Sequence, residues 1–211
     1  MRHPVVLGLF LLAAASYAGE VSMRISGSAG LTGSAKVVNK LQEDGSKYVR
    51  MEMELRSTDG QIVNVLQESV YDKAGMPVRM IQNTTAAGSK EQKIVAMFSG
   101  GSVRLRVTLG DKTEEETIQI PAGTNPMAKF EFWFIRDKVT AGGKTAYSRF
   151  DLQTNKWERV EATYHGTREI KINGKPVKAN LVEVAGAKAY VDDQGDPLRV
   201  EMQGIVLERV S

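Results

Sequence analysis

The stretch Val49-Arg50-Met51-Glu52-Met53-Glu54-Leu55-Arg56 alternates apolar and charged residues without a break. A period of two is the signature of a β-strand, whose successive side chains point to opposite faces. Val49, Met51, Met53 and Leu55 therefore share one face, while Arg50, Glu52, Glu54 and Arg56 share the other. One dry face and one wet face suit an antiparallel sheet packed on a core from one side. The same alternation returns in Val103-Arg104-Leu105-Arg106-Val107-Thr108-Leu109. It recurs where Val160, Ala162 and Tyr164 alternate with Arg159, Glu161 and Thr163, and again through Leu198, Val200 and Met202.

Turn signals separate these runs: Asp44-Gly45, Asp59-Gly60, Gly100-Gly101, Gly110-Asp111, Gly142-Gly143 and Asn173-Gly174. Asp59-Gly60 and Asn173-Gly174 read as hairpin turns of type I′, which need positive φ. The spacing predicts about eleven strands in one antiparallel meander. The expected fold class is all-β, a single curved antiparallel sheet or half-barrel with one short helix, in one domain over residues 19–211. The helix is expected at 126–136. Thr124-Asn125 precedes Pro126 as a cap, and Met127, Phe130 and Phe134 would then share a face. Phe130, Phe132 and Phe134 also alternate, so a strand is the competing reading.

A short internal repeat aligns Tyr71-Asp72-Lys73-Ala74-Gly75-Met76-Pro77-Val78-Arg79-Met80 with Val191-Asp192-Asp193-Gln194-Gly195-Asp196-Pro197-Leu198-Arg199-Val200. Asp opens a turn by accepting from its own backbone, Gly takes the positive φ, and Pro begins the next strand. A calcium loop would need several more oxygen ligands than either copy offers.

Residues 1–18 read as a secretory signal peptide, with Arg2 as the basic end, an apolar run over 5–15, and Ser16-Tyr17-Ala18 as the cleavage signal. The run is too short to span about 30 Å of hydrocarbon. The expectation is export, cleavage before Gly19, and a periplasmic or secreted protein without a transmembrane segment. The chain of 211 residues has no cysteine, so neither a lipoprotein anchor nor a disulfide framework is available. Its 28 Lys+Arg interleave with 25 Asp+Glu, and net charge is +3. No basic cluster stands out, which argues against a nucleic-acid partner.

Catalytic chemistry finds little support. Without cysteine, and with His165 the one histidine beyond the leader, no usual zinc site or thiol nucleophile can be assembled. No Gly-x-Ser-x-Gly elbow is present, and His165 suits a turn or surface position at the end of its run. Glu114-Glu115-Glu116 and Asp192-Asp193 supply carboxylates for a hydrolase, but such runs are usually solvated. No cofactor is expected.

The apolar material is more distinctive. Met23, Met51, Met53, Met80, Met97 and Met202 lie in strand-like runs, and Phe130, Phe132, Trp133 and Phe134 cluster. Methionine suits surfaces that accept varied apolar partners. The leading expectation is a non-catalytic module that binds an apolar ligand or lipid-like chain in the sheet concavity. Val49, Met51, Met53 and Leu55 would form one wall, faced by Phe130 and Phe134, with Trp133 at the rim. Such a site needs a cavity of several hundred Å³. The alternative is a structural or protein-interaction module whose interior is filled by its own side chains. A carboxylate hydrolase ranks third.

The C-terminal half also resembles a known group. The 126–136 segment is followed by Gly142-Gly143 and Tyr147-Ser148-Arg149-Phe150-Asp151-Leu152-Gln153-Thr154-Asn155-Lys156-Trp157. Next come His165-Gly166-Thr167-Arg168-Glu169-Ile170, Asn173-Gly174-Lys175, and the ending from Val191 to Glu201. Over residues 45–210 this order resembles uncharacterised secreted bacterial β half-barrel proteins, similar in architecture to periplasmic lipoprotein carriers and to β modules that precede transglutaminase-like domains. The resemblance implies a curved antiparallel sheet wrapped around one or more helices, with an apolar interior in the lipid-carrier members. It carries over no catalytic residue.

Overall fold

The structure is a computed structural model, and it describes residues 19–125 and 133–210. The expected signal peptide, Phe130 and Phe132 lie outside the described residues. The first eight strands are β1 (Gly19–Gly27), β2 (Thr32–Leu41), β3 (Lys47–Arg56), β4 (Ile62–Tyr71), β5 (Pro77–Ala86), β6 (Gln92–Ser99), β7 (Ser102–Leu109) and β8 (Lys112–Gln119). A helical turn, α1 (Trp133–Arg136), then precedes β9 (Lys144–Asp151), β10 (Lys156–Ile172), β11 (Lys175–Val184), β12 (Ala187–Val191), β13 (Pro197–Met202) and β14 (Ile205–Arg209).

The fourteen strands of the described residues belong to one sheet, in the order β8-β7-β6-β5-β4-β3-β2-β1-β14-β13-β12-β11-β10-β9. Consecutive strands are antiparallel neighbours with one exception. β8 and β9 do not pair, and instead β1 pairs with β14 in the middle of the sheet. The sheet is thus a barrel-like meander that stops one ladder short of closing. Among the described residues its two edges are β8 and β9, which are consecutive in the chain and are separated by the segment that carries α1.

The strand count exceeds the expected eleven because several turns carry no Asn or Asp. Ala185-Gly186 and Gln203-Gly204 adopt positive φ at both positions (48° and 79°, 42° and 79°), as does Asn173-Gly174 (49° and 79°). These are the two-residue hairpins that match strand twist. Asp59-Gly60 is a hairpin too, but not of that type. Only Gly60 has positive φ (83°), and Ser57 N–H donates to the Gln61 carbonyl at 3.0 Å. That five-residue pattern recurs at 42–46, 72–76 and 192–196 with bonds of 2.8–3.0 Å.

The internal repeat is this same turn used twice. Asp72 Oδ1 accepts from the Ala74 and Met76 N–H groups at 2.8 and 2.9 Å. Asp192 Oδ1 accepts from Gln194 and Asp196 at 3.0 and 2.8 Å. Both carboxylates are occupied in shaping backbone, and both hairpins shift register beside the turn.

The described part of the expected helix is short. It ends where Lys138 turns to φ 49°, with Asp137 N–H bonded to the Trp133 carbonyl at 2.8 Å. Thr124 turns its hydroxyl back onto the Pro121 carbonyl at 2.7 Å. Its Oγ1 is thus donating backward, where an N-cap would accept from the helix that follows.

The inner face of the sheet holds separate apolar clusters. Val21, Met23, Ile25, Met53, Leu55, Val65, Val200 and Leu207 pack around the β1–β14 junction. Tyr71, Met80, Ile94, Ala96, Phe98, Val103 and Leu105 pack with Phe150, Leu152 and Trp157 from the other end of the sheet. Phe98 meets Phe150 and Trp157 edge-on, with ring centroids 5.4 and 6.0 Å apart. Aromatic contact therefore draws the two ends of the sheet together where no backbone ladder does. Pairs of this geometry add about 0.5–1.5 kcal/mol beyond their buried area.

Candidate functional site

The expected apolar wall faces inward, as its alternation requires. Val49, Met51, Met53 and Leu55 are all at most 6% exposed. They do not form one site with the helix. Val49 joins the β5–β7 cluster, and Met53 and Leu55 the β1–β14 cluster. Trp133 and Phe134 pack instead on Tyr147, Val160, Ala162, Val182 and Val191. Trp133, expected at the rim, is buried against Phe134, and Phe134 stacks on Tyr164 with centroids 4.9 Å apart. Met97, one of the methionines in the strand-like runs, faces solvent. The outer face of β1–β4 carries an open depression of about 610 Å³, bordered by Lys36, Arg50, Glu52 and Glu54. Those charges pair among themselves and with Glu20, Arg56 and Glu68, so this is a solvated face.

The carboxylate candidates are equally dispersed. Glu114, Glu115 and Glu116 lie exposed on β8. Asp192 shapes a turn and receives Arg209 Nη1 at 3.1 Å, and Asp193 accepts from Asn180 at 3.2 Å. Burial, more than the neighbouring Asp192 charge, lifts the Asp196 carboxyl above its ordinary range, against the lowering effect of Arg209. His165 lies within the long strand β10, at the irregularity between Tyr164 and Thr167, with Nε2 3.2 Å from Glu183 Oε2. It is a strand residue at a bulge, not a turn residue.

The polar chemistry concentrates along β9. Ser148 N–H donates to the Asn125 carbonyl, and Asn125 N–H donates back to Ser148 Oγ at 3.3 Å. The segment after β8 thus lies along the free edge of β9 and makes one rung with it. Antiparallel strands alternate the side to which their backbone groups point. Ala146 and Phe150, two residues to either side of Ser148, therefore direct their N–H groups to the same free edge. A cleft of about 420 Å³ opens there, lined by 121–125, 146–148 and 157–159.

Behind it lies a smaller chamber of about 40 Å³ between β4–β5 and β9–β10. Ser148 and Trp157 line both spaces. Gln67, Ser69, Tyr71 and Met80 form one side of the chamber, and Arg149 and Phe150 the other. Arg149 is held by Glu158, directly opposite in register, through Nε at 3.2 Å and Nη2 at 3.0 Å. Gln67 Oε1, Arg149 Nη1 and Trp157 Nε1 are buried and make no hydrogen bond among the described residues. Each buried polar atom left so costs about 1–3 kcal/mol.

Sequence reasoning missed these residues. The signal was faint: Gln67 and Ser69 are polar residues on the apolar phase of β4, where they are 8% and 3% exposed.

The site defines a class: an all-antiparallel, barrel-like module with an open seam. Its fold is similar to that of a solved structure from Brucella abortus, described as a beta-barrel-like protein of domain of unknown function DUF1849. The likeness has a TM-score of 0.67 and covers 91% of this chain and 95% of that one, at 11% identity. It bears out a bacterial β-barrel-like fold and carries neither the lipoprotein-carrier nor the transglutaminase comparison. No family model matches the chain, and no curated protein is similar to it in sequence.

Proposed function

We propose that this protein is a non-catalytic module that receives an extended peptide segment of a partner protein along the edge of β9, where the peptide takes the place of the chain's own Asn125 opposite Ser148. The observation that carries this reading is the open seam. Among the described residues the sheet ends at β9, whose backbone faces a cleft of about 420 Å³, and the chain's own Asn125 already makes one strand-like rung there. Adding a strand to a sheet edge supplies main-chain hydrogen bonds for affinity and side-chain pockets for specificity. The apolar-ligand reading has less support. Among the described residues its proposed wall is spread over separate packed clusters, and the chamber beside β4–β5 measures about 40 Å³. Ligand sites of drug size occupy several hundred Å³.

The module works after export, in the periplasm or outside the cell. The support is the leader-like sequence at 1–18. No helix among the described residues is long and apolar enough to cross a membrane.

The test is selection of extended peptides from a random library on the purified protein, followed by affinity measurement on Ala146→Pro. Proline removes one edge donor and leaves the β9–β10 ladder intact. Selected peptides should bind the variant at least tenfold more weakly. Peptides that bind wild type and variant alike would place recognition elsewhere, and binding of fatty acid in place of peptide would restore the apolar-ligand reading.

A further inference from the structure

The chamber behind the seam has a definite hydrogen-bonding character, and its lining says what it can hold. We infer that it is a recognition pocket for a neutral carboxamide group, of the kind carried by an asparagine or glutamine side chain. This rests on the reading of the seam as a peptide site and names the group that such a peptide would insert.

Three observations lead there. The first is the donor and acceptor set. Arg149 Nη1 and Trp157 Nε1 are donors, and Gln67 Oε1 is an acceptor; all three are buried without a partner among the described residues, in side chains that line one space. A carboxamide presents the complement: an oxygen with two lone pairs for the donors, and an N–H for the acceptor.

The second is charge. Glu158 Oε2 takes both Nε and Nη2 of Arg149, so the guanidinium is already neutralised from its other side. A carboxylate entering the chamber would meet the Glu158 charge and the lone pairs of Gln67 Oε1. A neutral amide meets neither penalty.

The third is size. About 10–15 Å³ of such space holds one water-sized group. The chamber, at about 40 Å³, takes about three, which is the carbon, oxygen and nitrogen of one amide. Ser148 and Trp157 line both chamber and cleft, so a group carried on a strand in the cleft reaches the chamber without crossing the sheet.

The test is a titration of ¹⁵N-labelled protein with propionamide, propionate and N,N-dimethylpropionamide, following the two indole N–H signals, assigned with Trp157→Phe. Propionamide should shift the Trp157 signal saturably at millimolar concentration and leave Trp133 in place. Propionate and the dimethyl amide, which lack the N–H donor, should bind at least fivefold more weakly. Gln67→Met, which removes the acceptor at similar volume, should weaken propionamide by a like factor. The comparison of probes on the wild-type protein stands whether or not the variant folds. Equal response to propionate, equal response to the dimethyl amide, or no saturable response to propionamide overturns the inference. If that happens while selected peptides still depend on the Ala146 N–H, the chamber assignment falls alone. If that dependence is also missing, the reading of the seam falls with it.

Discussion

β8 and β9 end the same sheet, and they are built on opposite plans. β8 reads Lys112-Thr113-Glu114-Glu115-Glu116-Thr117-Ile118-Gln119, and all but Ile118 is exposed. Its carboxylates are answered from the neighbouring strand, as by Arg106 Nη2 at 2.6 Å from Glu115. A charged, solvated edge resists pairing with other chains, and natural sheets commonly protect their edges this way. β9 buries Tyr147 and Phe150, half-buries the Arg149–Glu158 pair, and faces a cleft with its backbone. One edge is defended and the other is sheltered and left able to pair. The lesson is that a free edge becomes a binding device through what surrounds it, not through being free.

The largest expected effect tests how deeply each edge is built in. Phe150→Ala removes a ring packed on Phe98 and Trp157 and should lower stability by about 3–5 kcal/mol in chemical unfolding. Glu115→Ala, on β8, breaks an exposed ion pair and should cost at most about 1 kcal/mol. Comparable losses at the two sites would erase the contrast.

An intermediate effect concerns the hairpin turns, which belong to neither edge. Asp72→Ala removes two acceptor bonds at the β4–β5 turn and should cost about 1–2 kcal/mol. Asp192→Ala should cost at least as much, because Arg209 loses a partner as well. A loss at Asp72 as large as that at Phe150 would mean that turns, rather than the closure at β9, dominate the fold.

Gln67→Met should leave stability within about 1 kcal/mol of wild type, because the loss of a buried amide oxygen without a partner offsets the loss of the long 3.5 Å bond from Nε2 to Ser69 Oγ. A clear destabilisation would show that the amide supports the fold rather than recognition.

The smallest effect is electrostatic. The Ser57 hydroxyl and then the Gln61 N–H hold the Asp59 carboxyl below its ordinary value of 3.8. A lowered folded pKa gives stability that is present above the unfolded value and lost as pH falls through the folded one. Asp59→Ala should therefore be slightly destabilised at pH 7 and match wild type in acid below both values. A pH-independent difference would assign the effect to backbone rather than charge.

Much of the fold was legible because period-two alternation is a strong signal wherever one sheet face is wet. Met51 and Met53 face inward as their alternation with Glu52 and Glu54 requires. Turns made by Asp or Asn with Gly were legible for the same local reason, whereas Ala185-Gly186 and Gln203-Gly204 were not, since only the folded backbone shows their positive φ. The pairing of β1 with β14 has no local signature, and with it the position of the seam was hidden. The site was hidden more completely. Gln67, Arg149 and Trp157 are far apart in sequence, and none belongs to a motif. Only the curl of the sheet brings Gln67 across from β9. Methionine and aromatic residues are the conspicuous apolar material of the sequence, yet the described ones on the inner face are spent on packing.

The measurement that bears most directly on the account is amide hydrogen exchange of the protein with and without a selected peptide. The account predicts that the Ala146 and Phe150 amides slow at least tenfold on binding, while the amides of β8 are unchanged. Protection confined to β8, or binding that leaves Ala146 and Phe150 exchanging as before, would contradict it.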